Sequence, residues 1–389
     1  MARLRRRESC PTPATTLPEH VHKDTYSAPA TPAEVGGRAP LPISTWTAEW
    51  LAALLPTESA GDESFGDDAF GVDSVLQSVT SSAYAHTYEC GRRYPSFNDN
   101  RYPIPNDDLE QSREDLQHSM LMELMDGELF FSPIGTYPQQ IVDIGTGTGK
   151  YFQSIQSWHF KLIIIGDAYP SASVLGVDLS PIQPSWVPPN VEFIIDDCER
   201  DWLIDKVDLA HFRFMAMILP NTPLVMKRAF QALRPGGWIE FQELHCIPFC
   251  DNQTMDADDP FKVLYELAGQ AYSKLGLSMS LPAELEPMLL ATGFENIHRR
   301  VIKVPIGSWA EEETLRLVGM YQKRVIIDFI STFAGRPFQA LGISEQEAQV
   351  RLALARQALE EPHVHRYFNY HFWYAQKPVD AVETGDTGD

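Results

Sequence analysis

Short apolar runs alternate with amphipathic stretches from residue 138 to residue 377, a pattern typical of a parallel sheet flanked by helices. Five strands are predicted where an apolar run lies between turn residues. They are Gln140 to Ile144, Ser173 to Val177, Val191 to Ile195, Val207 to Phe212 and Gly237 to Glu243. The aromatic run from 365 to 376 predicts a late strand. The pattern therefore predicts an α/β fold.

Helical spacing marks the region before the first strand, residues 74–137, as a helical cap. One helix is predicted over 74–88. A second is predicted over 108–124, with Leu109, Leu116, Met120 and Leu124 on its buried face. Two Ser-x-x-Glu capping boxes, at 308–311 and 344–347, predict the starts of two further helices.

The two ends of the chain lack a pattern that would bury apolar surface. Residues 1–73 are first rich in Pro, Thr, Ala and Arg and then in acids, so they predict a disordered tail and an acidic linker, with one short helix at 46–55. Residues 378–389 predict a second disordered tail. The domain of residues 138–377 is thus expected to carry the function.

Charge and composition argue against several classes of function. With 53 acidic and 31 basic side chains the formal charge is −22, so direct binding to nucleic acid is not expected. No apolar run is long enough to span a membrane, and no apolar segment follows the first arginines as a secretory signal requires. The five cysteines form no disulfide framework, so a cytoplasmic or nuclear location is expected. His245, Cys246 and Cys250 lack the second ligand pair of a structural zinc site, so no metal is expected.

A glycine-rich turn follows the first strand and is the strongest local motif. It has the form D-x-G-x-G-x-G and comprises Asp143, Gly145, Thr146, Gly147 and Gly149. Glycines there let a ligand lie against the backbone. The spacing differs from the dinucleotide motif G-x-G-x-x-G, which favours a methionine-bearing nucleoside over a pyrophosphate.

Carboxylates follow the next two strands. Asp178 ends the second strand, where the hydroxyls of a bound ribose need an acceptor. Asp196 and Asp197 end the third, and one of them can accept from an adenine amino group. Any one of these acids alone is more often a solvated strand-end carboxylate. Three successive strand ends with this pattern favour a nucleoside site.

Several motifs together resemble the fungal class I methyltransferases that include LaeA-like regulators and secondary-metabolite methyltransferases. The motifs are GRRY (91–94), PND (105–107), DLQH (115–118), VDLSPIQPSWVPPNV (177–191), HFR (211–213) and RPGGWIE (234–240). The resemblance covers roughly residues 74–376 and implies a Rossmann-like seven-stranded sheet that binds S-adenosylmethionine (SAM).

The resemblance also implies where each part of SAM lies. It puts the methionine part near Gly145 and Gly147, the ribose on Asp178 with Leu179 beside it, and the adenine near three residues. Those are Asp196, Asp197 and Cys198. The segment 88–107 would cover the pocket. Arg92 and Arg93 would either contact the SAM carboxylate or lie on a solvated loop.

Two departures from the family pattern stand out. Asp178 lies 29 residues after Gly149, whereas such a unit usually places its acid about 20 residues beyond the glycines. Residues 151–165 do not have the pattern of an amphipathic first helix, so they are either an insertion or retained intron sequence. Cys90 stands where the cap motif is expected to carry a polar residue.

A methyl acceptor that is a weak acid would need a general base. His211, Glu243 and His245 lie near the ends of the fourth and fifth strands and are the candidates, with a structural role as the alternative. Residues 244–310 are expected to form the acceptor side. Their aromatic and Met residues suit an apolar acceptor, although they are also typical core residues. They include Phe249, Phe261, Tyr265, Tyr272 and Met279.

Three functions follow from these observations. The first is SAM-dependent methyl transfer to a small molecule in fungal secondary metabolism. The second is a LaeA-like regulator that acts through nuclear protein partners. The third is a relative of the fold that no longer transfers methyl groups.

Overall fold

The computed structural model describes residues 86–89, 91–95, 102–147, 161–184 and 187–380. All of them belong to one compact unit that spans Val75–Asp389. The predictions for residues 1–73 and for most of 378–389 lie outside the described residues, as do those for Cys90, Gly149 and the greater part of the segment 151–165.

Seven strands form one mixed sheet, which confirms the Rossmann-like prediction. The strands are β3 (Gln140–Ile144), β4 (Ser173–Asp178), β5 (Val191–Ile195), β6 (Val207–Arg213), β7 (Leu233–Phe249), β8 (Glu295–Pro305) and β9 (Tyr367–Gln376). Their order is β5-β4-β3-β6-β7-β9-β8. The first five in this order are parallel, and β9 is antiparallel to both β7 and β8. The order reverses between β3 and β6, the place where such sheets bind ligands.

The central strands have the composition of a sheet that is covered on both faces. All seven residues of β6 are buried, and the last four of β3 are buried too. A parallel strand that packs helices on both faces has near-continuous apolar sequence. The five strands predicted between residues 140 and 243 are all found, and β7 is longer than predicted at both ends.

Eight helices flank the sheet in the described part of the chain. They are α1 (Asp108–Leu124), α2 (Lys161–Ala168), α3 (Thr222–Ala232), α4 (Pro260–Lys274), α5 (Glu286–Thr292), α6 (Glu313–Phe329), α7 (Arg336–Leu341) and α8 (Glu345–Ala358). Short 3₁₀ turns lie at Leu281–Ala283 and Ile330–Ala334. Helix α2 shows that residues 161–165 are helical, although their sequence did not predict an amphipathic helix.

The two predicted capping boxes have different outcomes. Ser344 caps α8 and accepts a hydrogen bond from the N–H of Glu347 at 3.2 Å, as predicted. The box at Ser308 was wrong. Helix α6 begins at Glu313, because the Glu312 carboxylate accepts from the N–H groups of Thr314 and Leu315 and provides the cap.

The cap region is only partly helical. Strands β1 (His86–Glu89) and β2 (Arg92–Pro95) form an antiparallel hairpin, so the helix predicted over 74–88 was wrong at 86–88. Helix α1 was predicted with the correct bounds, and Met120 of its predicted apolar face is buried. Leu109 is 70% exposed. Polar residues are buried beside Met120 and Leu121 instead, namely Glu110, Gln111, Arg113 and Gln117.

One carboxylate fastens the segment between α1 and β3 to the sheet. Glu240 on β7 is fully buried and accepts from the N–H groups of Phe131 and Ser132 at 2.9 and 2.7 Å. It also accepts from the Ser132 hydroxyl at 2.6 Å. These bonds satisfy backbone groups that would otherwise be buried without a partner.

We expect Glu240→Ala to lower the free energy of unfolding by about 3 kcal/mol, because it leaves these buried N–H groups unsatisfied. The exposed Glu128 lies in the same segment, and Glu128→Ala should change the free energy by under ~0.5 kcal/mol. Urea unfolding of both variants measures the difference. Equal free energies of unfolding for Glu240→Ala and Glu128→Ala would show that the Glu240 hydrogen bonds do not stabilise the fold.

Candidate functional site

A single pocket at the carboxyl ends of β3 to β6 brings together most of the predicted cofactor residues. The predicted residues that line it are Gly145, Thr146, Gly147, Asp178, Leu179, Asp196, Asp197 and Cys198. They come from three strand ends, as the motifs implied. Asp143 lies behind the pocket wall, and Gly149 is outside the described residues.

The turn after β3 needs glycine at two positions. Gly145 and Gly147 have φ angles of +68° and +69°, which residues with a side chain rarely adopt. A Cβ atom on Gly145 would lie 2.1 Å from Sδ of Met215, and one on Gly147 would lie 3.2 Å from Oε2 of Glu114. Met215 and Glu114 therefore pack closely against the turn, and both glycines line the pocket.

Asp178 connects this turn to the end of β4. Its Oδ2 accepts from the N–H of Gly147 at 2.8 Å, and its Oδ1 accepts from the N–H of Ser180 at 2.9 Å. Burial raises the pKa of Asp178, although these backbone bonds oppose the shift. Each carboxylate oxygen can accept a second hydrogen bond. The residue can therefore bind two neighbouring hydroxyl groups.

The segment after β5 forms the next part of the wall. The N–H of Asp196 donates to the carbonyl of Asp178 at 3.0 Å, which keeps the two strand ends together. Asp197 accepts from the N–H of Glu199 at 3.0 Å. Burial raises the pKa of the Cys198 thiol, so this cysteine is a neutral wall residue at physiological pH.

Asp143 holds a buried group of charges behind the glycine turn. Its Oδ1 lies 2.6 Å from Nζ of Lys161 and 2.7 Å from Nδ1 of His211. Burial alone would raise the pKa of Asp143, but the charge of Lys161 and the hydrogen bond of His211 outweigh it and lower the pKa. Burial lowers the pKa of Lys161 to about 8. Of these three residues, Lys161 lines the pocket.

The three candidate general bases do not line the pocket. His211 is bonded to Asp143, as described. Glu243 accepts at Oε1 from the N–H groups of Met215 and Ala216, at 3.0 Å each. His245 packs edge-on against the His371 ring at 5.7 Å. These positions do not support the predicted catalytic role.

Helix α1 contributes wall residues that the sequence reasoning missed. The polar side chains that line the pocket from this helix are Glu110, Gln111, Arg113, Glu114, Asp115, Gln117 and His118. Nε of Arg113 donates to Oε1 of Glu110 at 2.7 Å. The polar residues recur at helical spacing, which was the available signal, but such a face usually points to solvent.

Arg213 joins the end of β6 to this helix. Its Nη1 lies 2.9 Å from Nδ1 of His118, and its Nε donates to Oε1 of Gln242 at 2.8 Å. A guanidinium group only donates, so Nδ1 of His118 accepts and the proton of the neutral ring is on Nε2. Both Arg213 and His118 line the pocket.

The remaining cap residues on the wall are Tyr102, Ile104, Pro105 and Asn106. Arg92 and Arg93 have partners within the cap instead of lying on a solvated loop. Nη2 of Arg92 donates to Oδ1 of Asp107 at 2.9 Å, and Nη2 of Arg93 donates to the carbonyl of Asn106 at 2.7 Å.

Four of the residues expected on the acceptor side are core residues, the alternative that the sequence left open. Phe261, Tyr265, Tyr272 and Met279 are buried in the core cluster formed around α4, and none of them lines the pocket. Phe249 stacks on Tyr367 at 5.7 Å. The side of the pocket opposite the glycine turn is formed by the cap and by the end of β6.

Within the described residues, no group of three or more His, Cys, Asp or Glu side chains could hold a metal ion. None of the helices in this part of the chain is long and apolar enough to cross a membrane.

The Glu243 carboxyl should make stability depend on pH. Burial raises its pKa from 4.5 to about 8, so the folded state holds this proton more tightly than the unfolded state. Stability from the protonated group is complete below pH 4.5 and is lost as pH rises towards 8, by at most about 1.4 kcal/mol per pH unit.

Thermal unfolding between pH 4 and 8 measures this effect. Glu243→Gln cannot ionise, so its melting temperature should gain on that of wild type as pH rises from 5 to 8. The exposed control Glu128→Gln should keep a constant difference from wild type. If the difference in melting temperature between Glu243→Gln and wild type stays constant with pH, the raised pKa of Glu243 is contradicted.

Comparison with known proteins identifies the family. A family model described as a methyltransferase domain matches residues 116–299. Methyltransferase pytC of Aspergillus terreus is 33% identical over 310 residues, which cover 79% of this chain and 92% of pytC.

Other relatives carry the name secondary metabolism regulator, among them proteins of two further fungi. LAE1 of Cochliobolus heterostrophus is 29% identical over 75% of this chain and 94% of its own length. The laeA protein of Monascus pilosus is 30% identical over 75% of this chain and 78% of its own length. With these relatives and this sheet, the chain belongs to the fungal family of class I SAM-dependent methyltransferases.

Proposed function

We propose that this protein transfers the methyl group of SAM to a small-molecule acceptor in fungal secondary metabolism. The observation that carries the proposal is the pocket in which the glycine turn of β3, Asp178 and the segment after β5 converge beneath α1. The similarity to a methyltransferase over 92% of that relative's length supports it.

The pocket fits the cofactor in shape. The methionine part would lie against the backbone of Gly145 and Gly147, both of which line the pocket. The two oxygens of Asp178 would accept from the ribose hydroxyls. Asp196 and Asp197 would accept from the adenine amino group, with the neutral Cys198 beside them.

The pocket also fits the cofactor in charge. Seven carboxylates line it, against three cationic side chains. The carboxylates are Glu110, Glu114, Asp115, Asp178, Asp196, Asp197 and Glu199, and the cations are Arg113, Lys161 and Arg213. An acidic wall attracts a cationic ligand such as a sulfonium.

The acceptor would lie between α1 and the end of β6. Phe214, Met215 and Ile218 give that part of the wall apolar surface, and Gln117 and His118 give it hydrogen-bonding groups. SAM supplies an activated methyl group, so the protein mainly has to hold the acceptor in line and exclude water. His118 would donate from Nε2 to an acceptor oxygen.

A regulator that acts through protein partners is the less favoured function. Relatives named as regulators are similar over the same region, but at 29% and 30% identity they lie below the methyltransferase at 33%. The pocket described here also brings together Gly145, Gly147, Asp178 and Asp197, which would bind SAM.

Calorimetry with S-adenosylhomocysteine, the product form of the cofactor, tests the proposal. We expect saturable binding by the wild-type protein. Asp178→Ala should weaken it by about 10- to 100-fold, because hydrogen bonds to a charged group are lost. Asp205→Ala, which removes an exposed carboxylate, is the matched control and should bind as wild type does. A folded wild-type protein that binds no S-adenosylhomocysteine would refute the proposal.

A pair of glycine substitutions tests the contact with the glycine turn. Gly145→Ala should abolish measurable binding, since the new Cβ collides with Met215. Gly135 has a similar φ of +79°, but no atom lies within 4 Å of its Cβ position. Gly135→Ala should therefore lose about 1 kcal/mol of stability and keep its affinity. If Gly145→Ala and Gly135→Ala bind S-adenosylhomocysteine with equal affinity, the glycine turn is not part of the binding site.

A further inference from the structure

The turn after β6, residues 214–216, has an unusual backbone and forms part of the pocket. Phe214 has a φ of +58°, in the left-handed region that a bulky side chain rarely adopts. Phe214 and Met215 both line the pocket. Backbone strain of this kind persists only where the surroundings impose it.

Groups on β7 and β9 impose this conformation. The N–H of Phe214 donates to the carbonyl of Gln242 at 2.9 Å. The next two N–H groups, of Met215 and Ala216, both donate to Oε1 of Glu243 at 3.0 Å. On the other side, the Phe214 ring packs edge-on against Tyr370, whose hydroxyl donates to Gln322 at 2.7 Å.

Residues 214–216 also contribute to the shape of the cofactor site. The Met215 sulfur lies 2.1 Å from the position that a Cβ on Gly145 would take, so Met215 packs directly on the glycine turn. Strands β3 and β6 are neighbours at the point where the strand order reverses. Any movement of residues 214–216 would therefore move the wall between the methionine part of SAM and the acceptor.

We propose that Glu243 is a positioning residue, whose carboxyl oxygen holds the turn 214–216 in its strained form and keeps Met215 on the glycine turn. The proposal rests on the proposed function and replaces the general-base role predicted for Glu243. Glu243 is 1% exposed and does not line the pocket. Its Oε1 already accepts two backbone hydrogen bonds, which suits a support rather than a proton acceptor.

The comparison of Glu243→Gln with Glu243→Leu tests the role. The amide oxygen of Gln can accept the same two N–H groups, whereas Leu has similar size and no acceptor. S-adenosylhomocysteine is the probe, and calorimetry measures its affinity. We expect Glu243→Gln to stay within about 3-fold of wild type and Glu243→Leu to lose about 10-fold or more, as loss of buried hydrogen bonds implies.

NMR of methyl-labelled methionine reports the position of Met215 itself. The Met215 resonance is assigned from its loss in Met215→Leu. It should have the wild-type shift in Glu243→Gln and a different shift in Glu243→Leu, with and without S-adenosylhomocysteine. A general loss of stability would not move this one resonance selectively.

Two outcomes would overturn the proposal. One is a Glu243→Leu protein with wild-type affinity and an unmoved Met215 resonance. The other is a Glu243→Gln protein as impaired as Glu243→Leu, because the ionisable carboxyl would then matter more than its acceptor oxygen. If the wild type binds no S-adenosylhomocysteine, the proposed function fails, while the Met215 resonance still tests Glu243.

A second pair of variants applies if Glu243→Leu does not fold. Phe214→Ala and Phe214→Gly both remove the ring, but only glycine adopts a left-handed φ without cost. Phe214→Gly should melt about 3 °C higher than Phe214→Ala, the reverse of the usual order for this pair in regular structure. An alanine variant as stable as the glycine variant would show that the turn is unstrained and needs no support.

Discussion

The candidate site depends on one carboxylate that accepts backbone N–H groups from two strand ends. Asp178 belongs to β4, yet Gly147, whose N–H it accepts at 2.8 Å, lies on the turn after β3. This bond fixes the glycine turn relative to the neighbouring strand before any ligand arrives. In the proposed function, the remaining lone pairs of the same oxygens accept hydrogen bonds from the ribose hydroxyls. One residue thus contributes both to the shape of the pocket and to its chemistry.

The second constraint is that buried charges around the pocket need partners. Asp143 satisfies it with Lys161 and His211, and Glu110 satisfies it with Arg113. Because these groups pair with one another, α1 can present a polar face to the pocket and still pack Met120 and Leu121 into the core. The polar face explains why the helix has no continuous apolar stripe.

The sequence was sufficient to predict strands β3 to β6 and the groups at their ends. Strands β3 to β6 are apolar and bounded by turn residues, so Gly145 and Asp178 could be placed before the structure was known. Strand β8 was not predicted, because most of its residues are exposed and four of its eleven residues are charged, which leaves no apolar pattern. Helix α1 was predicted, but Leu109 is exposed and the pocket-lining Glu110 is buried, since contact with a pocket depends on tertiary packing.

The role of Glu243 shows most clearly what a sequence pattern leaves open. A carboxylate at the predicted end of a strand is compatible with a base in the pocket or with a support behind it. The direction of the side chain distinguishes these two roles, and it depends on the register between β6 and β7. In that register Arg213 pairs with Gln242, and Glu243 follows one residue beyond it. Its carboxyl oxygen can then reach the N–H groups of residues 215 and 216, which extends the connection between the two strands past the end of β6. The same register directs Arg213 towards His118 and the pocket, so a shift of one residue would exchange the supporting and the pocket-lining side chains.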